Sequence, residues 1–373
     1  TTQEDYVWVQ DYHLMCLGSM LREKGVKRRL GFFLHIPFPA VDIFSKLPWR
    51  KQILEALLAY DLIGFQTARD RRNFIQCVRS LLQGVQHVGR GYLGAIRVGE
   101  RQVLVGHFPI GIDAKRFASE AASAPVAEQA WYIHELLPKR QIVLGIDRLD
   151  YTKGISQRLQ AFEELLDEGR LEAEHCAFVQ VAVPSRTDVP AYQDERIEVE
   201  ALVDRINARY RRRNGVGPVQ YIESSFDDTG LAAWYRAADA LVVTSLADGM
   251  NLVAKEFVAA RGDGDGMVVL SEFAGAAQDL PEALIVNPYD IEAIKSALMT
   301  AVSLAPEERQ ERMAAMRDSV RLHDVHHWAD HFLERLEAVP RTRRRHSFLR
   351  RPVITKLSGT ARRVRPVAHD GER

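Results

Sequence analysis

Short apolar runs alternate with amphipathic stretches along most of the chain. YVWVQ reads as a strand, and HLMCLGSMLREKG after it carries helical apolar spacing as far as Gly25. RRLGFFLHIPFP is a strand stopped by two prolines; LPWRKQILEALLAY is helical, DLIGFQT strand-like, RDRRNFIQCVRSLL helical, and RQVLVGHFPIGID a strand leaving through Pro109 and Gly111. Residues 114–139 read as a helical connector. The alternation then restarts with the runs QIVLGID, CAFVQVAVP, VQYIES, ALVVTSL, MVVLSEF and EALIVNP, most of them separated by helical stretches, and a helical pattern closes the series over roughly 290–338. Such alternation predicts parallel α/β sheets. The expected fold class is α/β, two Rossmann-like doubly wound domains facing a cleft. The expected divisions are 1–113, an incomplete first domain; 114–139, the connector; 140–300, the second domain; 301–339, C-terminal helices; and 340–373, a tail.

Composition adds a few bounds. The 373 residues suffice for two cores, and no run of about 18 apolar residues predicts a membrane span. No secretory signal is visible. The three cysteines, Cys16, Cys77 and Cys176, are scattered and odd in number, so free thiols in a reducing cytoplasm are expected. From Pro340 onward eleven Lys or Arg stand against two acidic residues, which leaves residues 1–339 with a net charge of −9 in a formally neutral chain. A body of that sign predicts neither nucleic acid nor membrane as partner, and the basic tail reads as solvated and disordered.

In doubly wound sheets ligands bind past the carboxyl ends of the strands. GIDRLDYTKGI places Arg148 and Lys153 just past a strand and before a helix, either as an anion site or as two surface cations. PSRTDVPAY offers Arg186 from another strand end, and ALVVTSLADGMNLVAKE ends a buried strand in Asp248 and Gly249. Asp248 reads as an acceptor for ligand hydroxyls or as a helix N-cap; Glu256, a turn beyond Leu252, as a ribose acceptor or a solvated helix charge. Phe226 and Leu231 read as a base-stacking edge or as core. Asp11 and His13 follow the first strand, His35 ends the second, and His107 precedes the turn toward the connector. DGD at 263–265 reads as a loop, and no P-loop, GxGxxG or zinc-ligand spacing occurs.

WVQDYHL, GFFLHIPFP, YDLIGFQT, FPIGID, GIDRLDYTKGI, PSRTDVPAYQ, DGMNLVAKE and LSEFAGAA together resemble the trehalose-6-phosphate synthases, retaining glycosyltransferases of the GT-B type in glycosyltransferase family 20. The resemblance spans roughly residues 5–335. It implies transfer of glucose from a nucleotide-glucose, UDP-glucose first, to glucose 6-phosphate. It implies that Arg148 and Lys153 hold the donor diphosphate, that Asp248 with the main chain of Gly249, Met250 and Asn251 binds the donor glucose, and that Glu256 with the main chain at Leu252 and Val253 holds the ribose. Phe226 and Leu231 would edge the base, His35 would meet the donor sugar, Asp11 the acceptor sugar and Arg186 the acceptor phosphate. It further implies chemistry without a metal or other cofactor and leaves room for a homo-oligomer. Glucosylglycerol-phosphate synthases and catalytically silent homologues resemble the same motifs. The family's glycine-rich N-terminal loop and part of its acceptor pocket have no counterpart after Thr1, so the 373 residues alone are expected to be inactive or unstable and the full-length protein active.

Overall fold

Residues 5–89, 91–185, 189–210 and 216–339 are described by the computed structural model. The first sheet comprises β1 (Val7–Gln10), β2 (Leu30–Leu34), β3 (Leu62–Phe65), β4 (Val85–Val88), β5 (Leu93–Val98) and β6 (Arg101–His107), in the order β1-β2-β3-β6-β5-β4. Every residue of β2 and β3 is buried, as expected of central strands covered on both faces. β1, β2, β3 and β6 are mutually parallel, whereas β5 runs antiparallel to both its neighbours, β6 and β4. That hairpin departs from the all-parallel expectation. VQHV is a half-polar edge strand that alternates between half-buried and exposed, and it joins LGAIRV through a glycine-rich turn, so it carries no continuous apolar run.

The second sheet is entirely parallel: β7 (Gln141–Arg148), β8 (Cys176–Val183), β9 (Val219–Ile222), β10 (Ala240–Val243), β11 (Met267–Ser271) and β12 (Leu284–Val286), in the order β12-β11-β10-β7-β8-β9. Counted from its own first strand this is the 3-2-1-4-5-6 order of a doubly wound fold, and the chain changes direction across the sheet between β7 and β10. A crevice at the carboxyl ends of these two strands is what the topology provides.

The connector and the C-terminal helices attach to the sheets in different ways. Helices Ala114–Ala121 and Ala124–Leu136 bury Phe117, Val126 and Ile133 in the same core as Leu144, Val179 and Leu241, so this stretch packs as part of the second sheet's layer. Helix Pro306–Leu322 adds Met313, Met316 and Val320 to that core. The last helix, Val325–Glu337, crosses to the first sheet, where Phe332 and Leu336 pack with Phe33, Leu62 and Phe108. A Cβ on Gly31 or Gly64 would lie 2.8 Å from the Phe332 ring, so the two strand glycines make the seat for this helix. Trp8 stacks on Phe332 at 4.4 Å. Among the described residues no helix is long and apolar enough to cross a membrane. Cys77 and Cys176 are buried free thiols, pushed by burial up to about 11 and about 12, and Cys16 is exposed.

Candidate active site

β7 ends in Arg148, and the chain turns at once. Asp150 caps the short turn Tyr151–Lys153, accepting from the Thr152 amide at 2.9 Å and its hydroxyl at 2.8 Å. Gly154 follows with φ 62°, and a Cβ there would sit 2.2 Å from the carbonyl oxygen of Thr244. Only glycine allows the β7 turn to press against the end of β10 in this way. The Thr244 hydroxyl donates to the Gly154 carbonyl at 2.7 Å, and the Leu246 amide donates to the Thr152 carbonyl at 2.7 Å. The two strand ends at the switch point are thereby locked together.

Their polar side chains meet as a consequence. Lys153 Nζ lies 2.6 Å from Asp248 Oδ2, which also accepts from Asn251 Nδ2 at 3.1 Å and from the Ser245 hydroxyl at 3.3 Å. The N-cap of helix Leu252–Ala260 is Asn251, whose Oδ1 accepts from the Ala254 amide at 3.1 Å. The capping alternative for Asp248 is therefore excluded, and its carboxylate faces Lys153. Asn251 holds φ 73°, one of three non-glycine residues with positive φ among those described. Strain of this kind persists where surrounding contacts fix it.

The 248–251 loop is clamped from two sides. A Cβ on Gly249 would lie 1.7 Å from the His35 carbonyl oxygen, and one on Gly275 would lie 2.1 Å from the Gly249 carbonyl oxygen. Asp248 bridges Ala274, and the Ala276 amide donates to the Met250 carbonyl at 2.7 Å. Ser271 ties β11 to the end of β10 through a 2.6 Å bond to the Ser245 carbonyl. The first-sheet loop carrying His35 thus touches the second-sheet loop carrying Asp248.

On the first-sheet side Asp11 is a second positive-φ residue, at 66°. Its amide donates to Phe33 at 2.8 Å, and its Oδ1 accepts weakly from the His35 amide at 3.4 Å. His35 Nε2 is 2.9 Å from Gln10 Oε1, and its ring lies 4.8 Å from Phe33 and 6.1 Å from Trp328. Burial lowers the His35 pKa against the opposing pull of Asp11, so the imidazole is held neutral. Helix Ala68–Leu81 holds the following loop: Asp70 Oδ1 accepts from the Phe38 amide at 3.2 Å, and Asn73 Nδ2 donates to the Phe38 carbonyl at 2.8 Å.

The switch point of the second sheet is thus faced by the first-sheet loop and carries the Lys153 cation, the Asp248 carboxylate and the His35 imidazole. The family model described as Glycosyltransferase family 20 matches residues 1–338. The chain belongs to glycosyltransferase family 20. It is 45% identical over 335 residues to the trehalose-6-phosphate synthase of Mycolicibacterium vanbaalenii, covering 88% of this chain and 68% of that protein. It is 44% identical over 341 residues to that of Mycobacterium avium, with 90% and 69% covered. Among solved structures, an alpha,alpha-trehalose-phosphate synthase (UDP-forming) from Burkholderia xenovorans in complex with glucose-6-phosphate superposes with a TM-score of 0.86 at 38% identity, covering 90% of this chain and 74% of that one. A structure from E. coli bound with UDP-2-fluoro glucose gives 0.86 at 39% identity, with 91% and 74% covered. The GT-B architecture is shared with these enzymes.

Within this family 20 chain the remaining candidate residues are more spread out. Arg148, its side chain just over half exposed, stands at the rim with only a 3.8 Å approach to Asp150, which also accepts from Tyr192 at 3.3 Å. Asp150 therefore both caps its turn and lies beside a cation. Glu256 is half-buried and accepts from the Tyr235 hydroxyl at 2.9 Å; burial raises its carboxyl, so it is not a freely solvated helix charge. The Met250 side chain is buried in the core, and Leu252 and Val253 pack partly against it. Phe226 and Leu231 pack against the rim of the same core, Phe226 6.2 Å from Trp234. Arg186 lies outside the described residues.

Sequence reasoning missed Gln10, Tyr235 and Trp328. Gln10 stood beside Asp11 in WVQDYHL, and strand alternation alone would have sent the two to opposite faces. Trp328 sits in a C-terminal helix, with nothing local to tie it to His35. The one group of three acidic side chains close enough to share an ion among the described residues, Glu164, Glu168 and Glu292, surrounds Lys295 Nζ, 2.6 Å from Glu292 and 3.2 Å from Glu164.

Proposed function

We propose that the crevice transfers glucose with retention from UDP-glucose to glucose 6-phosphate, forming trehalose 6-phosphate. The Lys153–Asp248 pair, fixed at the switch point by Gly154 and faced by His35, carries this reading. The relatives named for this synthesis, and the similar structures bound with glucose-6-phosphate and with UDP-2-fluoro glucose, support it.

Cleaving a glycosyl–diphosphate bond builds negative charge on the leaving oxygen. Preorganised cations beside that oxygen stabilise it in the transition state, commonly the largest catalytic term. Lys153 is already positioned by Asp248, and donor binding exchanges this pair: the ammonium turns to the diphosphate while the carboxylate accepts from glucose hydroxyls. Arg148, exposed and weakly paired, folds over the diphosphate from the rim. His35, neutral, bonds the donor sugar without adding positive charge near the developing oxocarbenium. Glu256, oriented by Tyr235, takes the ribose, with Phe226 and Leu231 along the base. Asp11 meets the acceptor sugar and Arg186 its phosphate. The two cations supply the charge neutralisation for which other transferases use a divalent ion, so the reaction proceeds without a metal.

A nucleotide-release assay on the full-length protein, pairing UDP-, GDP- and ADP-glucose with glucose 6-phosphate or glycerol 3-phosphate, tests the reading. Release is expected with UDP-glucose and glucose 6-phosphate, undiminished by EDTA. Release confined to glycerol 3-phosphate would overturn the acceptor assignment.

A further inference from the structure

Helix Ala68–Leu81 presents a second face, turned away from Phe38, toward the β4–β5–β6 edge of the first sheet. A surface cleft of about 580 Å³ lies there, lined by Arg71, Arg72, Gln76, Arg79, Ser80 and His87. Arg71 is only 7% exposed. Its Nε donates to the Val105 carbonyl at 2.9 Å, and its Nη2 is buried with no hydrogen-bond partner among the described residues. His87 Nε2 is in the same condition. Both atoms converge over Gly94, where a Cβ would lie 2.5 Å from Arg71 Nη2 and 3.0 Å from His87 Nε2, so a glycine in β5 makes room for the pair.

Among the described residues no carboxylate pairs with these groups. Arg72 and Arg79 are exposed and form no ion pair among the described residues. Burial, reinforced by Arg72, lowers Arg71, and burial followed by Arg71 and Arg79 lowers His87; no acidic group enters either balance. A buried guanidinium bonded to one carbonyl is an expensive arrangement unless something completes it. Three guanidinium groups and an imidazole around a concave space form a fork-shaped donor set matched to phosphate oxygens.

We propose that this cleft is a binding site for a compact phosphate-bearing anion, separate from the donor crevice.

The test uses inorganic pyrophosphate at constant ionic strength. The Arg148→Ala/Lys153→Ala variant removes the diphosphate cations of the donor crevice. Calorimetry on it is expected to show one saturable pyrophosphate site, with the His87 imidazole resonance, assigned through His87→Asn, shifting along the same isotherm. Adding Arg72→Glu and Arg79→Glu, both at exposed positions, is expected to weaken that site about tenfold or more while the melting temperature without ligand holds. Absence of saturable binding in the Arg148→Ala/Lys153→Ala variant, or binding unchanged by the charge reversals, would overturn the proposal.

Discussion

The two walls of the crevice are held by different physics. On the second-sheet wall, Gly154 and Gly249 let backbones approach to distances no Cβ permits, and the Lys153–Asp248 pair sits on the resulting frame. On the first-sheet wall His35 and Asp11 are placed by a strand end, by the bonds that Asp70 and Asn73 make to Phe38, and by the aromatic packing of a helix from the far end of the chain. The second wall is held by backbone approach and an ion pair between two strand ends 95 residues apart, whereas the first is assembled through packing, part of it from a helix at the far end of the chain. Substitutions should therefore fail in different currencies on the two sides.

The largest effect is expected from Phe332→Ala. Phe332 is fully buried and touches Gly31, Gly64, Phe108 and Trp8. Truncating it should cost about 3–5 kcal/mol of stability, because the rigid strand glycines cannot fill the space. Urea unfolding reads this directly. A midpoint unchanged from the parent would mean that the last helix is not what holds the first wall.

Lys153→Ala should cost about 1–3 kcal/mol of stability, because it strands the Asp248 carboxylate of a pair only 11% and 16% exposed, and lower kcat about 10²–10³-fold. The contrast with Phe332→Ala is what matters: one loses fold before chemistry, the other chemistry before fold. Near-parental turnover in Lys153→Ala would remove it from the diphosphate and leave the pair as a structural tie. Gly249→Ala tests the contact between the walls. Its Cβ would fall 1.7 Å from the His35 carbonyl, so one loop must move by an ångström or more. Displacement on that scale is expected to cost about a hundredfold in kcat/KM. Unchanged kinetics would show that the contact opens before catalysis.

The same contrast explains what could be read from the sequence. GIDRLDYTKG and DGMN announced the second wall because strand, turn glycine and charged residue are neighbours in the chain. The parallel order that brings β7 beside β10 follows from the alternation of elements. The capping alternative at Asp248 was not separable in the sequence, since Asp and Asn both cap well and only the observed bond from Ala254 to Asn251 removes it. The first wall was half legible. HIPFP marked His35 as a strand end, but Trp328 comes from nearly 300 residues away and nothing periodic links the two. The β4–β5 hairpin was missed because an edge strand needs no apolar run to pair. The 114–136 helices were visible as helices, but their membership in the second core depends on which face is buried, a tertiary fact.

The smallest expected effects are in pH dependence, and here single groups on the two walls have opposite signs. His35 has a folded pKa below the ordinary 6.5, so between the two values the unfolded chain binds more protons and stability rises with pH. Its contribution is complete above 6.5 and is lost on acidification through that window. Glu256 has a folded pKa above the ordinary 4.5, so the folded chain holds the extra proton and stability falls as pH rises from 4.5 toward the folded value. Other buried groups are shifted as well, His87 and His107 downward and Asp70 upward, so the reading must come from differences. Melting curves of His35→Gln, each subtracted from the parent at the same pH, should be flat above about pH 7 and slope below 6.5. Those of Glu256→Gln should slope with the opposite sign from 4.5 up to the raised folded pKa and be flat above it. Equal slopes of one sign in both variants would mean that the two walls do not differ in how they hold their ionisable groups, and the contrast would then rest on packing and backbone approach alone.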